Sequence, residues 1–200
     1  MAVGKTAAVR YIETHAPYVH ISYEDNRDVL EEIRRRGLIK TRYEDYLEIQ
    51  KLWLEKEIRR WEKAESYPCT IMDFGAEEIE FYTLHYPRTI GENWEVEEPL
   101  RKELEAVKRC FPDRILFLDA SDSVLRQRKE RDRTRSREFF EHHLKYLLPM
   151  KREWFFHMDC VDVLNTDNMT CEETGAYVKA WIDANLSGAV SPLYTDAMKN

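Results

Sequence analysis

Short apolar runs that alternate with longer helical patterns are the feature that most constrains the fold of this chain. Four runs have the composition of β-strands: YVHISY (18–23), CTIMD (69–73), RILFLD (114–119) and VDVLN (161–165). Helical patterns fill the intervals, over about 4–15, 26–36, 41–65, 75–84, 97–110, 122–156 and 170–186. Strands separated by helices predict an α/β fold, in which a parallel sheet is flanked by helices.

The domain limits follow from length and composition. Two hundred residues, 43% of them hydrophobic, suit one domain with a substantial core. We assign this domain to residues 1–187 and expect 188–200 to form a loose carboxyl-terminal tail. Pro99 is expected in the first turn of its helix, and Pro149 is expected to break or kink the helix over 122–156.

The triplet Gly4-Lys5-Thr6 stands at the start of the first predicted helix. It matches the end of the phosphate-binding pattern G-x-x-x-x-G-K-[ST], in which backbone N–H groups at a helix amino end surround phosphates. The lysine of the pattern supplies positive charge beside the phosphates, and the hydroxyl of its serine or threonine binds Mg²⁺. Gly4, Lys5 and Thr6 are therefore candidate ATP-binding residues, with Thr6 as the metal ligand. Because this triplet arises by chance in roughly one chain in ten of this length, an ordinary amino terminus is the alternative.

Acidic residues close three of the predicted strands. Glu24 and Asp25 follow the first strand, Asp73 ends the second and Asp119 ends the third. The carboxyl ends of parallel strands lie along one edge of the sheet, where ligands bind. Glu24 and Asp73 are thus candidates to take a proton from a substrate hydroxyl or to hold Mg²⁺ through water. Acids in such places also cap helices, and Asp119 fits that alternative well.

A basic segment interrupts this acidic protein at LRQRKERDRTRSR (125–137). Seven of the twelve residues from Arg126 to Arg137 are lysine or arginine. Guanidinium groups bind phosphate oxygens in pairs and stabilise charge during phosphoryl transfer. The segment therefore predicts an arginine-rich lid near 125–140. The alternative is a solvated helix whose charges pair with one another.

A further candidate for substrate binding is the segment HYPRTIGENW (85–94), which reads as a loop after the Asp73 strand. It carries Arg88 among aromatic and polar residues. Arg88 is the candidate substrate-binding residue there.

Taken in order, these motifs resemble the phosphate-loop (P-loop) kinases of small molecules, above all the nucleoside, deoxynucleoside and thymidylate kinases. The resemblance spans about residues 4–183. It implies a P-loop NTPase fold and ATP- and Mg²⁺-dependent phosphoryl transfer to a small hydroxyl-bearing acceptor, such as a nucleoside or nucleotide. In the deoxynucleoside kinases the acid at the end of the second strand is the general base, which implies that role for Glu24.

The same resemblance implies roles for two further groups of residues. Lid arginines contact the donor phosphates in such kinases, which corresponds here to Arg126, Arg128, Arg131, Arg133 and Arg135. The loop after the last strand holds the adenine, which corresponds to Asn165, Thr166 and Asp167.

The sequence departs from that family at two places. Deoxynucleoside kinases place an arginine directly after the third-strand acid, where this chain has Phe74. In the superfamily the first strand also lies mid-sheet, between the third and fourth strands, and ends in the leading glycine of the loop. Neither precedes Gly4 here, and we expect both upstream of Met1.

The alternative function is a nucleotide-binding switch or partner-binding module that transfers no phosphoryl group.

Composition bounds the partners. A net charge of -7 argues against a general nucleic-acid binder, and no apolar run approaches the roughly 20 residues of a membrane span. The four cysteines form no C-x-x-C pair, which is typical of reduced thiols in a cytoplasmic protein. We expect a small-molecule substrate, and the aromatic residues on more than one side of helix 41–65 would suit a homodimer.

Overall fold

The computed structural model describes residues 2–131 and 139–188. The chain is α/β and mostly helical, with short parallel strands between its helices. The strands are β1 His20–Ser22, β2 Thr70–Met72, β3 Ile115–Asp119 and β4 Val161–Asn165. The helices are α1 Lys5–His15, α2 Arg27–Arg36, α3 Tyr43–Ala64, α4 Ala76–Thr89, α5 Arg101–Lys108, α6 Asp122–Arg131, α7 Phe140–His142, a π-helix His143–Leu147, α8 Leu148–Phe156 and α9 Cys171–Leu186.

The strands form two separate parallel pairs, whereas the sequence predicted one sheet. β1 pairs with β2, His20 lying opposite Thr70, and β3 pairs with β4, Ile115 lying opposite Val161. Among the described residues, neither β2 nor β3 has a strand on its other edge. The α/β class and the parallel pairing are therefore confirmed, but the continuous sheet is not.

The two pairs nevertheless share one hydrophobic core. Ile71 of β2, Cys69 just before it, and Leu116 and Leu118 of β3 pack in one cluster with the apolar faces of α1 and α9. Alternate side chains of a strand point to opposite faces, and the intervening Ile115 and Phe117 pack in a second cluster with Phe155 of α8. Helices therefore cover both faces of the β3–β4 pair, as expected for parallel strands.

A cavity of about 500 Å³ lies between β2 and β3; we call it the interstrand cavity. Consecutive residues of each strand line it, over 69–73 and 115–118. Consecutive side chains of a strand point to opposite faces, so one face would contribute only every second residue. A cavity wall that includes consecutive residues is therefore formed by the edge of a strand. The two strand pairs thus face each other across this cavity, edge to edge.

Helix α9 packs closely on α1 through a glycine. A Cβ atom added at Gly175 would lie 2.4 Å from Cγ of Tyr11, so no larger residue fits without a shift of α1. The start of α9 is fixed by a capping box between Thr170 and Glu173.

Helix α4 is longer than predicted, because it continues to Thr89 and contains Pro87. A proline inside a helix leaves the carbonyl four residues earlier without its usual donor, here that of Thr83. The hydroxyl of Tyr46, which is fully buried on α3, donates to that carbonyl at 2.9 Å. This tertiary bond replaces the missing one, and the predicted loop over 85–94 is therefore wrong for residues 85–89.

The helix predicted over 122–156 is divided. Pro149 has no N–H for the carbonyl of Lys145, and the π-helix His143–Leu147 directly precedes it. The expected break at Pro149 therefore takes the form of a widened turn. The helix predicted over 97–110 is shorter, Arg101–Lys108, and Pro99 lies in the turn that precedes it.

All four cysteines are free thiols, as the sequence indicated. Within residues 2–131 and 139–188, no helix combines the length and the apolar character needed to cross a membrane.

Arg60 of α3 fastens the ends of β1 and β2 together. Its guanidinium donates to the hydroxyl and carbonyl of Ser22, to the carbonyls of Asp73 and Phe74, and to the carboxylate of Glu57. The side chains of Arg60 and Glu57 are only 10% and 2% exposed. This ion pair therefore positions the carboxyl ends of both strands.

We expect Arg60→Met to lower the free energy of unfolding by about 3–5 kcal/mol, because the substitution leaves the Glu57 carboxylate buried without its partner. The neighbouring Arg59 is the matched control, since its side chain is 58% exposed. Arg59→Met should change stability by less than about 0.5 kcal/mol. Urea unfolding measures the change in stability of both variants. Equal effects of the two substitutions would contradict the role given to Arg60.

Candidate functional site

A second cavity, of about 420 Å³, lies where β1 and β2 end; we call it the strand-end cavity. It is lined by Thr6, Arg10, Glu13, Tyr23, Glu24 and Asp73. Three of the residues predicted from the sequence, Thr6, Glu24 and Asp73, thus lie around one space. They come from the first turn of α1 and from the ends of two neighbouring parallel strands.

The first turn of α1 supplies the hydroxyl of this site. Gly4 precedes the helix with a φ of 96°, in the left-handed region that favours glycine. This conformation lets the chain enter α1 at Lys5. Oγ1 of Thr6 then donates to Oδ2 of Asp73 at 3.1 Å. The helix amino end, with its partial positive charge, is therefore joined directly to the carboxyl end of β2.

Lys5 lies on the side of α1 that faces the interstrand cavity. Its Nζ is 3.3 Å from Oε2 of Glu78 and 5.1 Å from the ring centre of Phe74. Burial lowers the pKa of Lys5, but the carboxylates of Glu78, Asp73 and Glu24 outweigh it, and the net pKa is raised. Lys5 is therefore a cation with carboxylate partners at this site.

Glu78 holds a second lysine as well. Oε1 of Glu78 accepts a hydrogen bond from Nζ of Lys151, which lies on α8. Burial raises the pKa of Glu78, but Lys151 and Lys5 more than reverse this, so the pKa lies well below its usual range. Burial lowers the pKa of Lys151, and Glu78 only partly opposes this. The carboxylate of Glu78 is therefore the shared counterion of two lysines.

Glu77, next to this pair, has the opposite character. Its side chain is buried, and Oε2 finds no hydrogen-bond partner among the residues that the structure describes. Burial first, and then the charge of Glu78, raise the pKa of Glu77 to about 7. A Cβ atom at Gly75 would lie 2.3 Å from Oε2 of Glu77, so a larger residue there would require the Glu77 carboxyl group to move.

Sequence reasoning missed Glu77, Glu78, Lys151 and Arg60. The available signal was the stretch AEEIEFY, in which acidic residues lie within a buried helical pattern. For Lys151 and Arg60, nothing in the spacing distinguishes them from surface residues.

Two of the described arginines of the predicted lid, Arg126 and Arg128, contact protein groups. Arg126 pairs with Glu141, and Arg128 donates to the hydroxyl of Thr166 at 2.9 Å and to its carbonyl. Arg131 is exposed at the end of α6. Arg133 and Arg135 lie outside the described residues, so the lid as a whole stays a prediction.

The predicted adenine loop is tied to the end of β3. Thr166 is fully buried, and its hydroxyl donates to the carbonyl of Asp119 at 2.9 Å. Asp167 accepts from the backbone N–H of Ser121 at 2.7 Å, and Asn165 accepts from that of Asp167 at 2.8 Å. None of the three lines the strand-end cavity.

The structure also places two other residues that the sequence singled out, Arg88 and Asp119. Arg88 lies within α4 and is exposed, so the loop expected to present it is helical at this residue, and Arg88 does not line the strand-end cavity. The carboxylate of Asp119 is held by Arg152, with Nη2 at 2.9 Å from Oδ1. Asp119 is thus part of an ion pair with α8.

The residues present fit part of a nucleotide and metal site. They supply a helix amino end, a lysine and a hydroxyl beside a carboxylate, which are the parts that phosphates and a water-bound Mg²⁺ need. Over the described parts of the chain, no group of three or more histidine, cysteine, aspartate or glutamate residues could hold a metal ion directly.

No protein-family model matches this chain, and a search of curated proteins finds no match either.

Substitution of the neighbouring residues Glu77 and Glu78 should change the free energy of unfolding in opposite directions. Because Glu77 binds its proton more tightly in the folded chain, folding takes up a proton between pH 4.5 and 7, and stability falls as the pH rises through that window. We expect Glu77→Gln to stabilise the protein at pH 8 by up to about 3 kcal/mol, and by much less at pH 5.

Glu78→Gln is the matched comparison. Its lowered pKa contributes stability that is present above the ordinary glutamate value, and its loss leaves two lysines without their counterion. Urea unfolding at pH 5 and pH 8 should show destabilisation by Glu78→Gln at both values. A loss of stability with Glu77→Gln at pH 8 would contradict the burial of an unpaired carboxyl group.

Proposed function

We propose that this protein catalyses ATP- and Mg²⁺-dependent phosphoryl transfer to a small hydroxyl-bearing acceptor, with nucleosides and nucleotides as the first candidates. The observation that carries the proposal is the meeting of Thr6, Glu24 and Asp73 around one cavity at the amino end of α1. A helix amino end attracts phosphate, and the carboxylates at the strand ends would meet an acceptor in this cavity.

The proposal includes a P-loop NTPase-like fold of the nucleotide-kinase type. Parallel strand pairs flanked by helices, and the entry into α1 through a left-handed glycine, support it. The likeness of the motif order to small-molecule kinases points the same way.

On the donor side, Lys5 would neutralise phosphate charge after leaving Glu78. Its side chain is 30% exposed, against 9% for Lys151, so Lys5 is the lysine that can change partner. Glu78 would keep Lys151 as its counterion during that exchange. The hydroxyl of Thr6 would turn from Asp73 to the metal, and Asp73 would hold the metal through water. When bound, Mg²⁺ would supply positive charge that offsets the charge of the phosphate oxygens.

On the acceptor side, Glu24 would take the proton of the attacking hydroxyl. It is exposed to the strand-end cavity, and Nδ2 of Asn26 donates to its Oε1 at 2.6 Å, which orients the carboxylate. Arg10 lines the same cavity and would hold an anionic group of the acceptor. Phe74, which stands where deoxynucleoside kinases have an arginine, has no charge with which to do so. Arg128, Arg131, Arg133 and Arg135 would close over the donor phosphates, and Asn165, Thr166 and Asp167 would lie near the base.

The proposal is tested by incubating the protein with γ-labelled ATP, Mg²⁺ and a panel of nucleosides, nucleotides and hydroxylated small molecules. A labelled acceptor is expected. Lys5→Ala should abolish transfer, and Glu24→Gln should slow it by about 100-fold or more, as expected for loss of a general base.

Asp25→Asn is the matched control for Glu24→Gln. Asp25 is the adjacent acid, but its carboxylate is held by Arg27 at 2.6 Å and does not line the cavity. Transfer should be unchanged in this variant. ATP binding or hydrolysis without any labelled acceptor would replace the kinase with a nucleotide-binding switch, and full transfer by Lys5→Ala would remove the role of Lys5.

A further inference from the structure

Four charged residues beside the amino end of α1 form one cluster. Lys5, Glu77, Glu78 and Lys151 all line the interstrand cavity. Glu78 joins the two lysines, because its Oε2 lies 3.3 Å from Nζ of Lys5 and its Oε1 accepts from Nζ of Lys151. Glu77 is buried, and its Oε2 has no hydrogen-bond partner within the described parts of the chain. The cluster therefore contains one carboxyl group with an oxygen that is both buried and unpartnered.

The charges of this cluster balance when Glu77 holds a proton. Lys5 and Lys151 are positive, while Glu78 and Asp73, whose carboxylate acts on Lys5, are negative. A protonated Glu77 leaves the sum at zero, whereas an ionised Glu77 adds an excess negative charge in a buried position, which is unfavourable. Burial and the charge of Glu78 raise the pKa of Glu77 to about 7. Both forms are therefore populated near neutral pH.

Other titratable groups around Glu77 leave this balance unchanged. His143 of the π-helix lines the same cavity, and burial lowers its pKa to about 3, so it is neutral near pH 7. Burial raises the pKa of Tyr82, on α4, well above its usual value, so it is neutral as well. On α3, Arg60 and Glu57 pair with each other. Glu77 is therefore the member of the cluster that changes charge near neutral pH.

A bound triphosphate would disturb the balance in one direction. Under the proposed function, Lys5 leaves Glu78 for the phosphates, and less positive charge then faces the two neighbouring glutamates. The phosphates also bring negative charge to the amino end of α1. Loss of a nearby positive charge and gain of a negative one both disfavour an ionised carboxyl group. Both changes therefore favour the protonated form of Glu77.

We propose that Glu77 is a positioning residue of the donor site, which takes up a proton when a triphosphate draws Lys5 away from Glu78 and thereby links triphosphate affinity to pH. This inference rests on the proposed function. Glu77 contacts neither a substrate nor a metal in this scheme, since it acts through Glu78 and Lys5.

The sign of the pH dependence follows from the uptake of a proton. Glu77 holds its proton more tightly in the complex than in the free protein. The triphosphate therefore binds best below pH 7, where Glu77 is already protonated. The affinity falls as the pH rises through 7, because the proton then has to come from the solvent. A rise of one unit in the pKa of Glu77 on binding corresponds to a loss of affinity of about tenfold.

Calorimetric titration of the 200-residue chain with ATP and Mg²⁺ tests the proposal, and Glu77→Gln is the matched variant because it cannot titrate. Between pH 6 and pH 9, the affinity of the wild-type chain should fall by about tenfold more than that of Glu77→Gln. The titration of ATP itself affects both proteins equally, so the difference belongs to Glu77. In buffers of different ionisation enthalpy, the wild-type chain should take up more protons on binding at pH 7.5 than the variant does.

A second measurement needs no nucleotide. Lys5→Met removes the positive charge that a triphosphate would draw away, so the pKa of Glu77 should rise in this variant. Carbon NMR of the glutamate carboxyl groups follows that pKa, and the spectrum of Glu77→Gln identifies the signal. Lys179→Met is the control, because Lys179 pairs with Asp183 on α9 and does not line the interstrand cavity. The pKa of Glu77 should not change in the control.

The outcomes separate this inference from the proposed function. ATP binding with the same pH dependence in the wild-type chain and in Glu77→Gln would overturn the proton coupling and leave the kinase proposal standing. An unchanged pKa of Glu77 in Lys5→Met would do the same. If ATP binds at no pH, the proposed function fails, and the inference fails with it.

Discussion

Backbone groups of parallel strands need hydrogen-bond partners along both edges when helices keep water from both faces. This requirement governs the structure, because β2 and β3 meet it on one edge only within the described residues. The helices α1 and α9 pack on residues of both strand pairs and hold them in one core. The strand edges that face the interstrand cavity therefore lack hydrogen bonds to a neighbouring strand. The carboxyl ends of these strands have to be held by side chains.

Side-chain bonds provide that support. Arg60 binds the last carbonyls of β1 and β2, and Arg152 binds Asp119 at the end of β3. Arg128 and Thr166 connect α6 with the same strand end. Each strand end is thus fastened by an arginine from a helix. A guanidinium group can donate to several oxygens at once. Arginine is therefore suited to strand ends at which several carbonyl groups converge.

The sequence predicted the order and type of the elements well, and the strand β4 at its observed bounds, because apolar runs and helical periodicity are local signals. It missed features that depend on distant residues. The helix α4 continues through Pro87 because Tyr46, on another helix, binds the carbonyl of Thr83. The candidate site shows the same division. The GKT triplet and the strand-end acids could be found by pattern, whereas the shared counterion Glu78 depends on Lys151, which lies 73 residues away.

Phe74 has an unusual backbone conformation beside Lys5. Its φ is 77°, a left-handed conformation that is rare for a residue with an aromatic side chain. Such strain persists only where the surroundings impose it, and here Arg60 binds the carbonyl of Phe74 at 2.7 Å while Lys5 lies over its ring. The ring also stacks with Tyr82. Phe74 therefore supports Lys5 from the apolar side. Under the proposed function, the positive charge for an anionic group of the acceptor would come from Arg10 of α1, which lines the strand-end cavity.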